Sequence, residues 1–151
     1  MSTDRERWLR NEALLKQADY FDCYRKFESI VYGMETRGWK PRVMEVRRSR
    51  ARQLLLLARG ASRTWNSKHL TGRAMDVIDA RYAWGDTPVE FQADLFILAL
   101  NQGLTTGVLF GLNSLEKFDR VNLAQHAQRE QLIGLLRAKR GWDSAHVEVP
   151  S

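Results

Sequence analysis

The stretch SKHLTGRAMD, residues 67–76, places a histidine, a glycine and an aspartate together in a segment without helical or strand periodicity. Its last residue opens the run DVIDA, which is short, apolar and typical of a strand. His69 on the loop and Asp76 at the start of the strand can therefore converge on one point. Gly72 and Ala74 between them suit a tight loop whose backbone turns sharply to aim both side chains inward.

Length and composition limit the size and type of the core. The chain has 151 residues, 44% of them hydrophobic, and five tryptophans. This is enough for one core, so we expect a single domain over residues 1–151. The single cysteine, Cys23, excludes an internal disulfide framework and a cysteine-rich zinc module. If the protein holds a metal ion, histidine and carboxylate side chains must supply the ligands.

The overall charge predicts an anionic partner. The formal net charge of +6 favours nucleic acid, a membrane surface or an anionic cell-wall polymer. The basic residues are scattered and do not alternate with aromatic residues, so we expect no nucleic acid. The N-terminal sequence MSTDRERWLRNE does not resemble a signal peptide, and no apolar run approaches the roughly 20 residues that span a bilayer. We expect synthesis in the cytoplasm, no stable membrane insertion and a monomer.

Hydrophobic periodicity predicts helices of different lengths separated by short strands. The predicted helices span about 9–37 with a break at 19–22, 50–59, 88–101 and 114–139. The predicted strands are 42–46, 76–80 and the C-terminal segment WDSAHVEVP, which alternates as an edge strand would. Residues 61–75 are expected to form a loop, and the leucine run at 54–57 to pack in the core. This pattern predicts an α+β fold with a small antiparallel sheet and helices packed on one side.

A second group of polar side chains lies in WDSAHVEVP. His146 has Asp143 three residues before it and Glu148 two residues after it. With His69 and Asp76, His146 makes three ligands of the kind that zinc accepts, leaving the fourth tetrahedral position open as in catalytic sites. Residue chemistry alone leaves an alternative open, because a loop histidine is usually solvated or hydrogen-bonded and the chain has no HExxH helix.

Two motifs resemble those of the zinc-dependent peptidoglycan peptidases that include D-alanyl-D-alanine carboxypeptidases and dipeptidases and phage L-alanyl-D-glutamate endopeptidases. The first family motif has the form SxHxxGxAxD, and its fixed positions are present here as Ser67, His69, Gly72, Ala74 and Asp76. WDSAHVE is similar to the second motif, DxxH or ExxH, and EVRRSRARQ at 45–53 is similar to the family segment EGYRSxxRQ. The resemblance covers about residues 43–80 and 141–149 in the expected order.

The resemblance implies a DD-peptidase/hedgehog-like zinc peptidase fold and one zinc ion per chain. The ligands that it implies are His69, Asp76 and His146. Peptidoglycan stem peptides are the partners that it implies, with hydrolysis of a peptide bond as the reaction.

The resemblance also implies which residues are catalytic. Asp143 aligns with the general base that accepts a proton from the attacking water, and Arg48 aligns with the arginine that binds substrate and stabilises the tetrahedral intermediate. Glu148 lies on the same side of the extended segment as His146, so it is either a supporting hydrogen-bond partner or a rival base. Ser67 can supply a supporting hydrogen bond.

The chain departs from the family pattern at two places. Val46 and Arg47 stand where relatives often have glycine and an aromatic residue, and residues 112–140 match no part of the pattern. We expect this helical segment to reshape one wall of the cleft and to affect specificity rather than the metal site. His126 belongs to that segment and is expected to be exposed. The other expected cleft-wall residues are Trp65 and Trp142, which flank the two motifs.

These observations favour a zinc peptidase of the phage endolysin type, made in the host cytoplasm and acting at the cell wall after release. The bond could be L-alanyl-D-glutamate, a D-amino-acid bond in the cross-link or a terminal D-alanyl-D-alanine bond. The alternative is a non-catalytic basic module that binds wall polymer or nucleic acid on a degenerate peptidase fold. The intact first motif argues against degeneracy.

Overall fold

The computed structural model describes residues 3–62, 64 and 66–150. Its helices are α1 (Asp4–Leu15), α2 (Arg25–Thr36), α3 (Arg50–Ala58), α4 (Val89–Asn101), α5 (Ser114–Gln125) and α6 (Arg129–Ala138). Its strands are β1 (Pro41–Glu45), β2 (Ala74–Asp79), β3 (Thr105–Gly107) and β4 (Asp143–Glu148). A π-helical turn lies at Tyr20–Tyr24, and 3₁₀ turns lie at Lys68–Thr71 and Trp84–Asp86. No helix in the described ranges is long and apolar enough to cross a membrane.

The four strands form one antiparallel sheet in the order β1-β2-β4-β3. This confirms the α+β class with a small antiparallel sheet. The expectation that the C-terminal segment forms an edge strand is wrong, because β4 pairs with β2 on one side and with β3 on the other. The strand that covers β4 is the three-residue segment TTG, which is too short to show strand periodicity in the sequence.

Side-chain alternation gives the sheet a packed face and a polar face. Met75, Val77 and Val147 are fully buried in an apolar cluster against the helices. Successive side chains of a strand point to opposite faces, so Asp76 and His146 project from the other face. The helical residues of the cluster include Phe27, Ile30, Met34, Phe91 and Leu95. Burying each large apolar side chain contributes about 1.5–3 kcal/mol, so this face fixes how the strands lie and therefore where the polar face points.

Helix α1 covers the outer edge of β1 with polar side chains. Asn11 is fully buried, donates from Nδ2 to the Pro41 carbonyl at 2.9 Å and accepts from the Val43 amide at 2.9 Å. Arg7 also donates to the Pro41 carbonyl, at 2.8 Å, and forms two 2.9 Å bonds to Glu35 on α2. The edge amide and carbonyl groups are thereby satisfied, so β1 offers no open edge for pairing there.

The segment 112–140 forms a second apolar cluster instead of a wall of the main cleft. Helices α5 and α6 pack on α4 through the buried side chains Ala93, Phe96, Ile97, Val108, Leu109, Leu112, Ala124, Leu132, Ile133 and Leu136. None of its residues lines the large cleft described below. It borders the site only through Arg140, in a smaller adjoining cavity.

The expectation that the leucine run at 54–57 packs in the core is wrong. Leu54 and Leu55 are 46% and 44% exposed, and the other two leucines are only partly buried. The buried residue of α3 is polar: Gln53 is 2% exposed. Helix α3 lies against loop residues near the site rather than against the apolar clusters, so its leucines have no core to enter.

Candidate metal centre and active site

The register of β2 and β4 brings two predicted metal ligands together. Asp76 and His146 are directly opposite each other in the antiparallel ladder, and Ala74 is opposite Glu148. Directly opposed side chains on one face have Cβ atoms about 4.5–5.5 Å apart. The pairing therefore holds an aspartate and a histidine side by side on the polar face of the sheet.

His69 reaches the same place from the 3₁₀ turn Lys68–Thr71. The Ser67 hydroxyl caps this turn by accepting from the His69 amide at 3.2 Å. Gly72 ends the turn in the left-handed conformation, with φ of 69°. A Cβ at Gly72 would lie 2.6 Å from the Gln17 carbonyl oxygen, so both the backbone angle and the close approach require glycine.

The three side chains form a compact buried cluster. His69, Asp76 and His146 each offer one ligand atom, and these atoms lie within 4.8 Å of one another. The Nε2 atom of His69 is 3.3 Å from Oδ2 of Asp76, and Nδ1 of His146 is 3.1 Å from Oδ1 of Asp76. All three residues are 6% exposed or less. The cluster can hold one metal ion.

The hydrogen bonding of His69 fits a cation between the three side chains. Nδ1 lies 2.8 Å from the Val46 carbonyl oxygen, which can only accept, so this nitrogen carries the hydrogen. In neutral imidazole Nε2 is then a bare acceptor, and it is buried without a hydrogen-bond partner among the described residues. A lone pair that faces a carboxylate oxygen in the interior calls for a positive ion, and fixing Nδ1 by a carbonyl is the usual support of a metal-binding histidine.

His146 is oriented in the same manner by Glu148. Oε1 of Glu148 lies 2.8 Å from Nε2 of His146, while Oε2 of Glu148 lies 2.9 Å from Nζ of Lys68. This leaves Nδ1 of His146 facing Asp76 and Asp143.

Charges within the cluster compensate one another. Burial lowers the pKa of His146, but hydrogen bonds to Asp76 and Glu148 outweigh it and raise the pKa to about 9. Burial likewise raises the pKa of Asp76, but the hydrogen bond from His146 and the nearby His69 ring outweigh it, so the pKa of Asp76 lies well below its usual range. A proton on imidazole and a metal ion satisfy the same carboxylate, so metal binding must displace that proton.

Asp143 lies beside this cluster without belonging to the ligand set. Its Oδ2 is 3.6 Å from Nδ1 of His146. Burial raises the pKa of Asp143 above its ordinary value, and the nearby Asp76 carboxylate adds to the rise although His146 opposes it. A carboxylate with a raised pKa accepts a proton more readily near neutral pH than an ordinary aspartate does.

Arg48 is held rigidly at the edge of the cluster. Its amide donates to the His69 carbonyl at 2.9 Å, and its guanidinium contacts Glu45 and donates to Oε1 of Gln53 at 2.7 Å. Nη2 is 3.9 Å from Oδ2 of Asp76. Only 10% of the side chain is exposed, so the guanidinium is a fixed positive group beside the cluster rather than a mobile surface charge.

Sequence reasoning did not assign roles to Glu45 and Gln53. Both lie in EVRRSRARQ, the segment whose resemblance was used for Arg48, so the signal was present. Gln53 also donates to the Ser62 hydroxyl at 2.8 Å and to the Thr64 carbonyl at 2.5 Å. The glutamine thereby connects the arginine to the loop that follows α3.

The two positions that depart from the family pattern have structural tasks. The Val46 side chain is fully buried in the core cluster, and its carbonyl holds His69. Arg47 donates to the Gln17 carbonyl at 3.1 Å and to the Thr71 carbonyl at 3.3 Å. Both residues therefore support the turn that carries His69.

A cleft of about 590 Å³ opens over the cluster. Its walls include Arg48, Asp143 and the rings of Trp84, Phe110 and Trp142, which places the predicted wall residue Trp142 at the cleft. Trp65, the other predicted wall residue, lies outside the described residues. His126 is exposed near the C-terminal end of α5, as expected, and its Nδ1 is 2.8 Å from the Asn122 carbonyl oxygen. The arrangement of a cluster that can hold a metal ion, a nearby carboxylate and a fixed guanidinium in one cleft is suited to hydrolysis of a polar bond.

Comparison with known proteins identifies a structural neighbour. The fold is similar to that of the L-Ala D-Glu endopeptidase ChiX of Serratia marcescens, with a TM-score of 0.61 and 19% sequence identity. The match covers 93% of this chain and 86% of the other. No family model matches the sequence, and no curated protein matches it. The chain therefore has the fold of a peptidoglycan endopeptidase, at an identity that shows the fold alone.

Proposed function

We propose that the protein is a zinc-dependent peptidase that hydrolyses peptide bonds in the stem peptides of peptidoglycan. The observation that carries the proposal is the buried cluster of His69, Asp76 and His146, with Asp143 and Arg48 in the same cleft. The fold shared with an L-Ala D-Glu endopeptidase supports the substrate class, and makes the L-alanyl-D-glutamate bond the first to test.

Zinc fits the donor set better than the harder cations do. Two imidazole nitrogens and one carboxylate oxygen are ligands that zinc accepts, whereas magnesium and calcium prefer oxygen ligands throughout. When bound by His69, Asp76 and His146, zinc supplies a Lewis acid that polarises the scissile carbonyl and lowers the pKa of water. The other residues of the site bind, orient and transfer protons.

In this proposal Asp143 is the general base. It accepts a proton from the attacking water and returns it to the leaving amine, a role that its raised pKa supports. Arg48 stabilises the negative charge that develops on the carbonyl oxygen, since the guanidinium is already fixed by Glu45 and Gln53 before substrate binds. Glu148 keeps His146 oriented rather than acting as a base, because both of its oxygens have partners.

We further propose that the protein acts as a phage-type endolysin in host cell lysis. The resemblance of its two motifs to those of phage endopeptidases supports this role, and its net charge of +6 favours attraction to an anionic wall polymer. The alternative of a non-catalytic basic module has less support, because such a module needs neither a proton acceptor nor a fixed guanidinium beside a buried ligand cluster.

Digestion of purified peptidoglycan, with mass spectrometry of the released fragments, tests the proposal. We expect new termini within the stem peptide, and the residues at those termini name the bond that is cut. His69→Ala and His146→Ala should lose most of the one zinc per chain and the activity, whereas His126→Ala should keep both. Fragment release without zinc would refute metal dependence, and binding to the wall without any release would favour the non-catalytic alternative.

A further inference from the structure

A second, smaller cavity adjoins the main cleft. It has a volume of about 160 Å³ and shares Trp84, Trp142 and Asp143 with the main cleft. The two indole side chains are 49% and 48% exposed, so they stand at the boundary between the two spaces instead of closing it. A substrate that crosses the metal-binding cluster can therefore continue past Asp143 into the second cavity.

The floor of this cavity consists of buried side chains from three parts of the fold. Phe91, Ala145 and Thr87 are buried, and they come from α4, from β4 and from the turn before α4. Gln92 belongs to the wall and is 5% exposed, and its Oε1 has no hydrogen-bond partner among the described residues. Because this amide oxygen can only accept, it needs a hydrogen-bond donor, so an anionic group in the cavity must be held by another residue.

Arg140 is the cationic residue among the described residues that line the cavity. Its Nη1 donates to the Leu136 carbonyl at 3.3 Å, and it forms no ion pair with a carboxylate in the described part of the chain. The other arginines of this region differ, since Arg129 pairs with Asp94 at 2.8 Å and Arg137 pairs with Glu90 at 2.8 Å. Arg140 thus has guanidinium donors to spare, in the fork geometry that suits a carboxylate.

Asp143, the carboxylate among the described lining residues, does not form an ion pair with the Arg140 guanidinium. Asp143 directs Oδ2 to within 3.6 Å of His146, on the side of the metal-binding cluster. The volume of the cavity corresponds to about five waters at roughly 30 Å³ each, which is room for a carboxylate on a short arm but not for a chain of several residues.

We propose that this cavity binds the free α-carboxylate of the γ-linked D-glutamyl residue of the stem peptide, and that Arg140 recognises it. The proposal rests on the proposed function. In an L-alanyl-D-glutamate substrate this carboxylate is attached to the carbon next to the scissile nitrogen. With the scissile bond at the cluster of His69, Asp76 and His146, the carboxylate therefore lies close to Asp143, beside the second cavity. Arg140 is then a specificity-determining residue that distinguishes D-glutamate from its α-amide, D-isoglutamine.

Equilibrium binding of a matched pair of probes tests this directly. The probes are N-acetyl-γ-D-glutamyl-L-lysinamide, in which the D-glutamyl α-carboxylate is the sole carboxylate, and its α-carboxamide analogue. Hydrogen bonds to charged groups contribute about 1.5–3 kcal/mol, so calorimetry should find the acid bound to the wild type at least about tenfold more tightly than the amide. Arg140→Gln should reduce this ratio to near one, and Arg140→Lys should keep part of it.

Arg137→Gln is the matched control. It removes one positive charge three residues before Arg140, at a residue that is exposed like Arg140 but does not line the cavity. The control should keep the wild-type ratio. Equal binding of the two probes by the wild type, no detectable binding of the acid probe, a ratio that persists in Arg140→Gln, or a ratio that falls equally in Arg137→Gln would each overturn the proposal.

Cleavage kinetics on stem peptides that contain D-glutamate or D-isoglutamine separate this inference from the proposed function. We expect Arg140→Gln to raise KM for the acid substrate about tenfold or more and to leave KM for the amide nearly unchanged. Cleavage of both substrates with equal KM by the wild type would overturn the inference and leave the peptidase. Arg140-dependent binding of the acid probe without any cleavage would support the carboxylate site and refute the peptidase.

Discussion

Two acidic side chains flank His146, and their different surroundings support the different tasks proposed for them. Glu148 engages Nε2 of His146 with one oxygen and Nζ of Lys68 with the other. Burial raises the pKa of Glu148, but these two partners outweigh it and hold the pKa below its usual value. The pKa of Asp143 is shifted in the opposite direction, upwards, by burial. In the proposed mechanism the raised pKa suits Asp143 to accept a proton, and the two partners of Glu148 suit it to orient His146.

Replacing each acid by its amide should therefore give two different results. Asp143→Asn should keep wild-type zinc content and lose about two to four orders of magnitude in turnover, because only the proton acceptor disappears. Glu148→Gln should lower zinc affinity about 10–100-fold, with turnover largely restored at saturating zinc. Zinc stoichiometry and initial rate, measured on the same preparations at limiting and at saturating zinc, distinguish the two. Full activity of Asp143→Asn together with an inactive, zinc-loaded Glu148→Gln would identify Glu148 as the base.

The site was predictable where its residues stand in short local motifs. SKHLTGRAMD carries two of the candidate ligands within eight residues, and WDSAHVE carries the third. The supporting contacts of Lys68 with Glu148 and of Gln53 with Arg48 were not predicted, because each depends on how loops and strands meet in space. Arg140 was not predicted either, since nothing in its local sequence separates it from the other surface arginines of its segment.

At the scale of elements, the 3₁₀ turn that carries His69 depends on one glycine. Gly72 combines a positive φ with a backbone carbonyl 2.6 Å from where its Cβ would be. Gly60 has a similar φ of 73° but open space around it, and Gly134 lies in the interior of α6 with open space and an ordinary helical conformation. Comparing the three positions separates the free-energy cost of a positive φ from the cost of a steric clash between the added Cβ and the neighbouring backbone.

Alanine at these three glycines should change stability in a fixed order. Gly134→Ala should stabilise by about 0.5–1 kcal/mol through helix propensity, and Gly60→Ala should destabilise by about 1–2 kcal/mol through its positive φ. Gly72→Ala should cost more than Gly60→Ala, because the Gln17 segment must also move, and it should weaken zinc binding through His69. Urea unfolding of the metal-free proteins gives the free energies. Equal losses at Gly72 and Gly60 would show that the collision is relieved without cost.

The elements whose position was predicted wrongly from the sequence are those whose position depends on tertiary contacts. The alternating segment WDSAHVEVP suggested an edge strand, yet β4 is interior because the short TTG segment pairs with it. The leucine run at 54–57 suggested core, yet α3 makes its contacts through Gln53 and the loop after it. By contrast, a break in the first helix was predicted at residues 19–22; in the structure α1 ends at Leu15, and the chain resumes with the π-helical turn Tyr20–Tyr24 before α2.

One buried carboxylate connects three elements on the far side of the sheet. Asp94 on α4 accepts hydrogen bonds from Arg37 at 2.9 Å, from Trp39 at 2.9 Å and from Arg129 at 2.8 Å. Burial raises the pKa of Asp94, but the bonds from Arg129 and Trp39 outweigh it and hold the pKa below its usual value. The end of α2 and the start of α6 are thereby attached to α4.

Asp94→Asn should lower the free energy of unfolding by about 1–3 kcal/mol at pH 7, a value discounted because both arginines are more than one third exposed. The pKa of Asp94 is lower in the folded state than in the unfolded state, so its ionised carboxylate stabilises the fold at pH values above the unfolded-state pKa. This stabilisation is lost as the pH falls towards the folded-state pKa. The difference between wild type and variant should therefore shrink below about pH 4. Denaturant titrations at pH 7 and pH 3 measure it. Glu90→Gln, a partly exposed acid on the same helix whose one ion pair is with the exposed Arg137, should change stability by less than about 0.5 kcal/mol, and a loss equal to that of Asp94→Asn would contradict the argument.

On the scale of the whole molecule, the two faces of the sheet differ in what they hold. Its packed face and the helical cluster of α4, α5 and α6 hold nearly all of the buried apolar side chains, whereas its polar face holds the candidate ligands. The ligands come from β2, from β4 and from a turn that is fixed to Val46 at the end of β1. A metal ion bound there adds a further connection between three parts of the chain that also meet in the apolar cluster on the packed face of the sheet.

Zinc should therefore stabilise the entire fold rather than only the loop at the site. A ligand that binds the native state alone at 100 times its Kd contributes about 2.7 kcal/mol, which for a chain of this length corresponds to a rise in Tm of roughly 5–10 °C. Calorimetry of the chelator-treated protein with and without zinc should show this rise, and chelator should reverse it. His126→Ala should show the full shift, because that exposed histidine lies outside the cluster, and His69→Ala should show little or none. An equal shift in His69→Ala would mean that zinc binds elsewhere on the protein and that the cluster of His69, Asp76 and His146 is not its site.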